Sequence, residues 1–491
     1  MARPLLCATV TAASTAELRR RRDETRDVDM IELRLDSVAD PDVAGALRDR
    51  RCPAIVTCRP TWEGGRFAGS EEERRRLLAE AIVGGAEYVD VEWSAGFHEL
   101  FDQSTRHRIV LSTHDFEAMP ADLVERRRAM RATGAGVIKI AGRANRLADC
   151  AALLPLAEDV HEGDRQVLIA MGERGLATRV LAEQFGSAWT YAGPLAEAGQ
   201  IDARSLVHDF GFRSLSRSTA VYGLVGAPIG HSVSPAMHNR AFRSAGLDAV
   251  YLPLPAVDVG DFMTFADRLG LKGASVTIPF KVPMLGRMDG LEADAQRIGA
   301  VNTIRINDGR WLGSNTDACG FLGPLHQRGV PLRGIRAAVL GAGGSARAVA
   351  CALSDSGAHV TVHARDTARA ADVAALATGS VGGWPPKPGS WDLLVNCTPV
   401  GMYPRSDETP LASPHLSGAL VYDLVYNPTP TRLLREAAGL GCQTIGGLEM
   451  LVAQAEEQFR LWTNVAPPCG VMRQAAEERL SEFITDDHHL V

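Results

Sequence analysis

The amino-acid sequence predicts an α/β protein in which a (β/α)8 barrel precedes a second unit built around a strand–turn–helix. Two observations carry this. Over roughly the first 200 residues, eight short apolar runs alternate with helical or loop stretches, the pattern of a parallel sheet that closes on itself. From residue 337 to 353 the chain reads AAVLGAGGSARAVACAL, an apolar run, a glycine turn and an alanine-rich helical pattern. At 491 residues the chain is too long for one ordinary core, so two or more domains are expected.

Composition narrows the class. Hydrophobic residues make up 46% and charged residues 23%, the balance of a globular protein. A net charge of -7 argues against a nucleic-acid partner. No apolar run is long enough to cross a bilayer, so no membrane partner is expected. The opening MARPLLCATVTAAS has a short apolar stretch that reads better as a first strand than as a signal peptide. Nine scattered cysteines without a C-x-x-C pair point to reduced thiols in the cytoplasm rather than to disulfides or zinc, and no metal is expected. His488 and His489, in the tail TDDHHLV, read as a frayed polar end. Of 52 basic residues only Lys139, Lys272, Lys281 and Lys387 are lysine. In such a chain a lysine at a site suggests chemistry that needs an amine able to lose its proton, because arginine is effectively always charged.

The eight runs are LLCATVT (5–11), MIELRLD (30–36), AIVTCR (54–59), YVDVEW (88–93), RIVLSTHD (108–115), GVIKIAG (136–142), QVLIAMG (166–172) and SAWTYAG (187–193). Helical stretches such as EEERRRLLAEAIVGG (71–85) lie between them. A (β/α)8 barrel does its chemistry at the C-terminal ends of its strands. Glu32 and Arg34 fall late in the second run, Arg59 ends the third, Glu92 the fourth and His114 the fifth. Arg179 follows the seventh. Lys139 lies inside the sixth, between Ile138 and Ile140. Burial among apolar groups disfavours a charged lysine. A neutral amine can attack a ketone and form an imine, while a nearby histidine moves a proton. A snorkelling lysine and a capping histidine are the plain alternative.

IELRLD, TCRPTWEGG, STHDF, GVIKIAG and EAGQI occur in that order over roughly residues 1–210, and this series resembles the type I 3-dehydroquinate dehydratases. The resemblance implies that Lys139 forms a Schiff base with the substrate ketone and that His114 is the general acid/base. It implies that Glu63 orients His114, and that Glu32, Arg34, Arg59, Arg179 and Gln200 hold the substrate's hydroxyls and carboxylate. The family's S-A-P-G-Q stands here as A-E-A-G-Q, with Ala196 for the serine and Ala198 for the proline, so one substrate hydrogen bond is missing or replaced.

The segment 202–218 reads as a short connector, and VYGLVG (221–226) opens the second unit. In its glycine turn, Gly341-Ala342-Gly343-Gly344-Ser345-Ala346, glycine permits close approach of a pyrophosphate and the helix start offers free N–H groups. Residues 358–365, AHVTVHAR, supply the next strand of a βαβ unit. Ser232 and Ser234 precede a helix, which they could cap or whose start they could use to meet a carboxylate. Lys281 and Asp317, on separate loops, could form a plain salt bridge or a catalytic pair.

SVSPAMHN, SVTIPFK, GAVNT, NTDACGF, GAGGSARA, NCTPVGM, YDLVYNPTPT and GGLEMLVAQA follow in order from about 220 to 475 and resemble the shikimate dehydrogenases. The resemblance implies two α/β lobes around a cleft, the second a Rossmann-like nucleotide lobe, with the final helices returning to the first. It implies domains at 1–214, 218–320 and 321–491. Ser232, Ser234, Thr277, Asn302, Asp317, Tyr426 and Gln454 are expected at the substrate, with Lys281 and Asp317 the catalytic pair. Asn396, Thr398, Pro399 and Met402 are expected near the nicotinamide, with Gly447 also at the cofactor. A proton donor such as Lys281 stabilises the charge that develops on a carbonyl oxygen during hydride transfer.

The two resemblances name consecutive steps, 3-dehydroquinate to 3-dehydroshikimate to shikimate, so the chain reads as a bifunctional enzyme of small-molecule substrates. A quinate-specific second half and a catalytically silent metabolite sensor are the alternatives; the presence of Lys139, His114, Lys281 and Asp317 speaks against the sensor. The cofactor is expected to be NADP. An NAD enzyme usually ends its second nucleotide-lobe strand with a carboxylate, whereas here it ends His363-Ala364-Arg365, with Arg369 four residues on. Two guanidiniums suit a 2′-phosphate. The family's N-R-T stands here as A-R-D, and Asp366 could accept from an unphosphorylated ribose, repel a phosphate, or cap the helix and pair with Arg369.

Overall fold

All eight apolar runs of the first unit form parallel strands: β1 (Leu5–Thr11), β2 (Met30–Arg34), β3 (Ala54–Thr57), β4 (Tyr88–Glu92), β5 (Ile109–Asp115), β6 (Val137–Arg143), β7 (Gln166–Met171) and β8 (Trp189–Ala192). The structure, a computed structural model, describes residues 3–487 apart from 162, so His488 and His489 lie outside the described residues. Strand order is β7-β6-β5-β4-β3-β2-β1-β8, each pair in parallel register. No ladder joins β7 to β8. The Ala188 N–H donates to the Gln166 carbonyl at 2.7 Å. The Ser187 hydroxyl accepts from the Leu168 N–H at 2.9 Å and donates to the Leu168 carbonyl at 3.3 Å. One backbone bond and the Ser187 side chain therefore bridge the seam of the barrel.

Alternation along each strand sends every second side chain inward. The lower interior is apolar, with Cys7, Met30, Ile55, Val110, Val137, Val167 and Trp189 in one cluster. Above it, the same parity places Thr9, Glu32, Asp90, Ser112 and Lys139 inside the barrel. The opposite parity packs a second cluster, including Leu33, Val56, Leu78 and Val91, under the surrounding helices.

The chain divides into two compact units, the first reaching to residue 219 and including 254–270, the second taking 220–253 and everything from 271. Within the first unit, the buried Asp261 carboxylate accepts the Leu147 N–H at 3.1 Å and the Ala148 N–H at 2.8 Å, capping the helix Ala148–Ala151.

The second unit holds two sheets. The first, ordered β10-β9-β11-β13-β14-β12, comprises β9 (Ala220–Val225), β10 (Ala249–Leu254), β11 (Gly273–Val276), β12 (Gly290–Leu291), β13 (Thr303–Asn307) and β14 (Arg310–Ser314). The second, ordered β17-β16-β15-β18-β19-β20, comprises β15 (Arg336–Leu340), β16 (His359–His363), β17 (Ser380–Val381), β18 (Leu393–Asn396), β19 (Leu420–Asp423) and β20 (Gln443–Ile445). All of its pairings are parallel, and the order reverses at β15/β18, the place where doubly wound sheets bind ligands. The final helices return to the first sheet's lobe, where Leu448, Val452, Phe459, Met472 and Ala476 share a core with Met237 and Phe242.

Ser187→Ala removes both side-chain bonds across the β7–β8 seam. The expected outcome is a loss of about 1–3 kcal/mol, the usual cost of leaving buried backbone groups unpaired, read as a lower denaturant midpoint for the first unit.

Candidate active sites

The C-terminal ends of the barrel strands surround a cavity of about 450 Å³. Every barrel residue expected at the site lines it: Glu32, Arg34, Arg59, Glu63, His114, Lys139, Arg179 and Gln200. Lys139 projects inward from β6 and is 5% exposed. The apolar setting suggested by Ile138 and Ile140 is not the one it has, because alternation turns both isoleucines away from the interior. Its Nζ instead lies 3.0 Å from Asp90 Oδ2, 3.8 Å from Glu32 Oε1 and 4.4 Å from the centre of the Tyr191 ring. Burial pushes Asp90 upward, but Arg59 and Lys139 overcome it and hold this carboxyl well below the usual range.

The arginines divide into two kinds. Arg59 is held by Asp90 at 2.9 Å, Glu92 at 2.8 Å and the Ser112 hydroxyl at 2.8 Å, and Arg34 grips Asp36 through two bonds of 2.7 and 2.9 Å. Among the described residues Arg179, 2% exposed, meets only the carbonyl oxygens of Tyr191 and Ala198, and its Nε has no partner. Burial brings it down to about 10. A buried guanidinium without a counter-ion is costly, and an entering carboxylate would supply one.

His114 ends β5 with Nδ1 2.8 Å from Glu63 Oε1. Burial, helped by the positive charges of Arg59 and Lys139, holds the imidazole well below its usual value, so the ring is neutral. Burial raises Glu63 to about 7 against the pull of Arg59. Nε2 carries no hydrogen bond among the described residues. When Glu63 is ionised it accepts Nδ1–H and leaves a lone pair on Nε2; when Glu63 is protonated it donates to Nδ1 and moves the ring proton to Nε2.

The second unit has a cavity of about 240 Å³, lined by Ser232, Ser234, Thr277, Lys281, Asn302, Asp317, Tyr426 and Gln454, with Ser345, Met402 and Gly447 of the expected cofactor residues. Lys281 Nζ bonds Asp317 Oδ2 and, at 3.2 Å, Ser345 Oγ. Asn302 Nδ2 donates to Asp317 Oδ1 at 2.8 Å. The Ser234 N–H donates to Ser232 Oγ at 3.2 Å, and burial pushes the Tyr426 hydroxyl up. Asn396 Oδ1 accepts the N–H and hydroxyl of Thr398 at 3.0 and 2.7 Å, shaping the loop after β18.

The glycine turn follows β15, and the helix Gly344–Asp355 begins without a side-chain cap. Gly341 has φ +107°, and a Cβ there would lie 3.2 Å from Thr398. A Cβ on Gly344 would lie 2.9 Å from the Lys281 Cβ, so the turn can sit against that side chain only as glycine. The first-turn N–H groups remain open to an anion. Beyond β16, His363 is buried with Nδ1 2.7 Å from the Gly383 carbonyl, while Arg365 is exposed. Asp366 accepts the Arg369 N–H at 3.1 Å as the cap of the helix Thr367–Leu376 and lies 3.5 Å from Arg369 Nε.

Comparison with known proteins follows the same division. The type I 3-dehydroquinase family matches residues 6–215. The shikimate dehydrogenase substrate binding domain matches 224–304, and the shikimate 5′-dehydrogenase C-terminal domain matches 447–477. The chloroplastic bifunctional 3-dehydroquinate dehydratase/shikimate dehydrogenase of Arabidopsis thaliana is 34% identical over 502 residues, covering 94% of this chain and 83% of that protein. The chain belongs to this bifunctional family. A shikimate dehydrogenase (NADP+) of Methanopyrus kandleri is 43% identical over 284 residues, covering 54% of this chain and 98% of its own. A crystal structure of a shikimate dehydrogenase in complex with NADP+ aligns at 35% identity with a TM-score of 0.51, covering 54% of this chain and 97% of that one.

The bifunctional dehydratase/dehydrogenase thus has a lyase barrel and an oxidoreductase unit. Asp90 and Tyr191, both against Lys139, were missed in the sequence. For Asp90 a signal existed: in YVDVEW two carboxylates two residues apart share one strand face, and Glu92 ends the strand at the pocket. The contact of Ser345 with Lys281 had no such signal.

Glu63 sets the pH dependence expected of the dehydratase half. Its folded value is raised, so it is ionised above about pH 7 and protonated below. The rate should fall as pH drops through 7, when the lone pair on His114 Nε2 is lost. Glu63→Gln should remove that limb from the pH–rate profile.

Proposed function

We propose that the barrel cavity dehydrates 3-dehydroquinate to 3-dehydroshikimate and that the second cavity reduces this product to shikimate with NADPH. The observation that carries the reading is that Lys139 and the His114–Glu63 pair line one pocket. His114 takes a proton from Lys139, the freed amine attacks the ketone, and His114 returns the proton to the departing oxygen, so that water leaves and a cationic imine remains whose nitrogen draws electrons from the neighbouring carbon. His114 takes the proton from that carbon and returns it to the departing hydroxyl, so that C–H and C–O bonds break, a C=C bond forms and water leaves. Hydrolysis of the imine then frees Lys139. Asp90 keeps its charge and stays paired with the positive nitrogen rather than accepting its proton. Arg179 takes the substrate carboxylate, and Glu32 and Gln200 lie in reach of its hydroxyls.

In the second cavity, Lys281 donates a proton to the oxygen on which charge develops, while Asp317 and Ser345 hold its Nζ in place. NADPH, when bound, supplies the hydride. The open N–H groups after Gly343 fit its pyrophosphate, and Arg365 and Arg369 fit a 2′-phosphate. Asp366, occupied as a helix cap, leaves the net charge there positive. Domain limits of 1–214, 218–320 and 321–491 follow the motif sets, with 254–270 clustering beside the barrel. The scattered cysteines of the sequence, with no C-x-x-C pair, fit a cytoplasmic setting.

Borohydride added with 3-dehydroquinate should leave a stable adduct that mass spectrometry places on Lys139; an adduct elsewhere, or none, sinks the imine. His114→Ala should slow elimination by roughly 100-fold or more, the usual scale for loss of an acid/base group, while the adduct still forms. Arg365→Ala should raise KM for NADPH strongly and that for NADH little, measured with 3-dehydroshikimate. A wild-type preference for NADH that Asp366→Ala abolishes would reverse the cofactor assignment.

A further inference from the structure

A chain of buried hydrogen bonds leads from the core of the second unit to the Lys281–Asp317 pair, and its central member, Gln458, belongs to none of the motifs above. The Tyr251 hydroxyl donates to Ser275 Oγ at 2.7 Å, and Ser275 donates to Gln458 Oε1 at 2.6 Å. Gln458 Nε2 donates to Thr303 Oγ1 at 3.0 Å and to the Asn302 carbonyl at 3.2 Å. The Thr303 hydroxyl donates to Asn302 Oδ1 at 2.7 Å, and Asn302 Nδ2 donates to Asp317 Oδ1 at 2.8 Å. The other Asp317 oxygen takes the Lys281 ammonium.

The chain has one direction. Each hydroxyl in it donates onward, and each after the first also accepts. Gln458 is 1% exposed, so no water competes for its amide. His238 stacks on the Tyr251 ring at 4.4 Å and also faces Gln458; burial keeps it neutral, at about 3, so it is the titratable group nearest the amide. A glutamine is required at the centre because its side chain both accepts and donates. With Nε2–H on the Thr303 lone pair, the Thr303 proton is turned toward Asn302 Oδ1. The Thr316 N–H donates to the same Oδ1 at 2.7 Å, and together the two donors leave Nδ2 of Asn302 to face Asp317. Turned over, the Asn302 amide would set its oxygen against the Asp317 carboxylate, and the carboxylate would lose the donor that fixes it beside Lys281.

We propose that Gln458 is a positioning residue for the reduction, acting through Thr303 and Asn302 to hold Asp317 against Lys281. The assignment rests on the reading of this cavity as the shikimate dehydrogenase site. A glutamate at 458 separates orientation from bulk. Ionised, it can only accept, and it faces the Asn302 carbonyl and the Thr303 lone pair with negative charge. Protonated, it donates as the amide does, and burial raises the pH at which it does so.

The full chain carrying Gln458→Glu is assayed for 3-dehydroshikimate reduction across about pH 8 to 5.5, the range over which a buried glutamate of raised pKa titrates. Its kcat relative to wild type should be roughly tenfold low at the alkaline end, the scale of one lost buried hydrogen bond, and should recover toward wild type at the acid end. KM for NADPH should stay within about twofold, since uniform cofactor binding is not what is lost. A deficit that does not change with pH, or no deficit, overturns the proposal. Gln458→Met keeps the volume without the amide, and wild-type kcat in that variant overturns it equally. An unchanged KM for NADPH reports that the second unit, which carries Gln458, is folded; the dehydratase activity of the same chains reports the barrel. Failure of the underlying reading would appear in the wild type, which would then not reduce 3-dehydroshikimate.

Discussion

Charge cannot be buried alone, and that constraint organises the barrel. Lys139, Arg59 and Arg34 all lie where water is scarce, and each is matched by a carboxylate: Arg59 by Asp90 and Glu92 of the next strand, Lys139 by Asp90 two strands away and Arg34 by Asp36 in its own segment. Breaking a buried pair by removing one partner costs several kcal/mol, because the remaining charge stays unpaired. Asp90 serves two cations at once and bonds the Ser112 hydroxyl at 2.6 Å. The apolar layer beneath, from Cys7 to Trp189, gives this network a dry floor. Arg179 is the exception that gives the pocket its polarity: its charge is buried without an anion, so the site is built to receive one.

The second unit solves the same problem around a neutral scaffold. Lys281 and Asp317 form one ion pair, and almost everything that orients it is uncharged: Asn302, Thr303, Thr316, Ser345 and Gln458. Neutral donors fix a carboxylate without adding a second charge to desolvate. The result is a pair that can exchange a proton with a substrate oxygen while its surroundings keep their protonation. Glycine allows the nucleotide turn to lie against this lysine, which brings the start of the helix Gly344–Asp355 to the same crevice.

The fold was largely legible because it is a matter of period. Runs of apolar residues marked all eight barrel strands within a few residues of their ends, and the expected substrate and catalytic residues line their pockets, whereas of the expected cofactor residues Ser345, Met402 and Gly447 line the second one. The reading failed where neighbours in space are distant in sequence. Lys139 between two isoleucines suggests an apolar cage, yet its partner is Asp90, 49 residues earlier and two strands away. Register decides this: Lys139 is level with Ser112, and Ser112 with Glu92, which leaves Asp90 one inward layer below Glu92 and within reach of Nζ. The seam between β7 and β8 was not legible for a related reason, since nothing in SAWTYAG says that its serine will bond across the gap.

By itself, then, the sequence determined the alternation of strands and helices, the inward parity of each polar residue and the two ordered sets of motifs. These are local properties, set by the two-residue period of a strand and by the backbone freedom of glycine. Only the tertiary structure decided which charges pair, which arginine is buried without an anion, and that Asp366 caps a helix. Those outcomes depend on distances between segments that the chain brings together only when the barrel and the sheets have formed, and a difference of one residue in register would have given each group another partner.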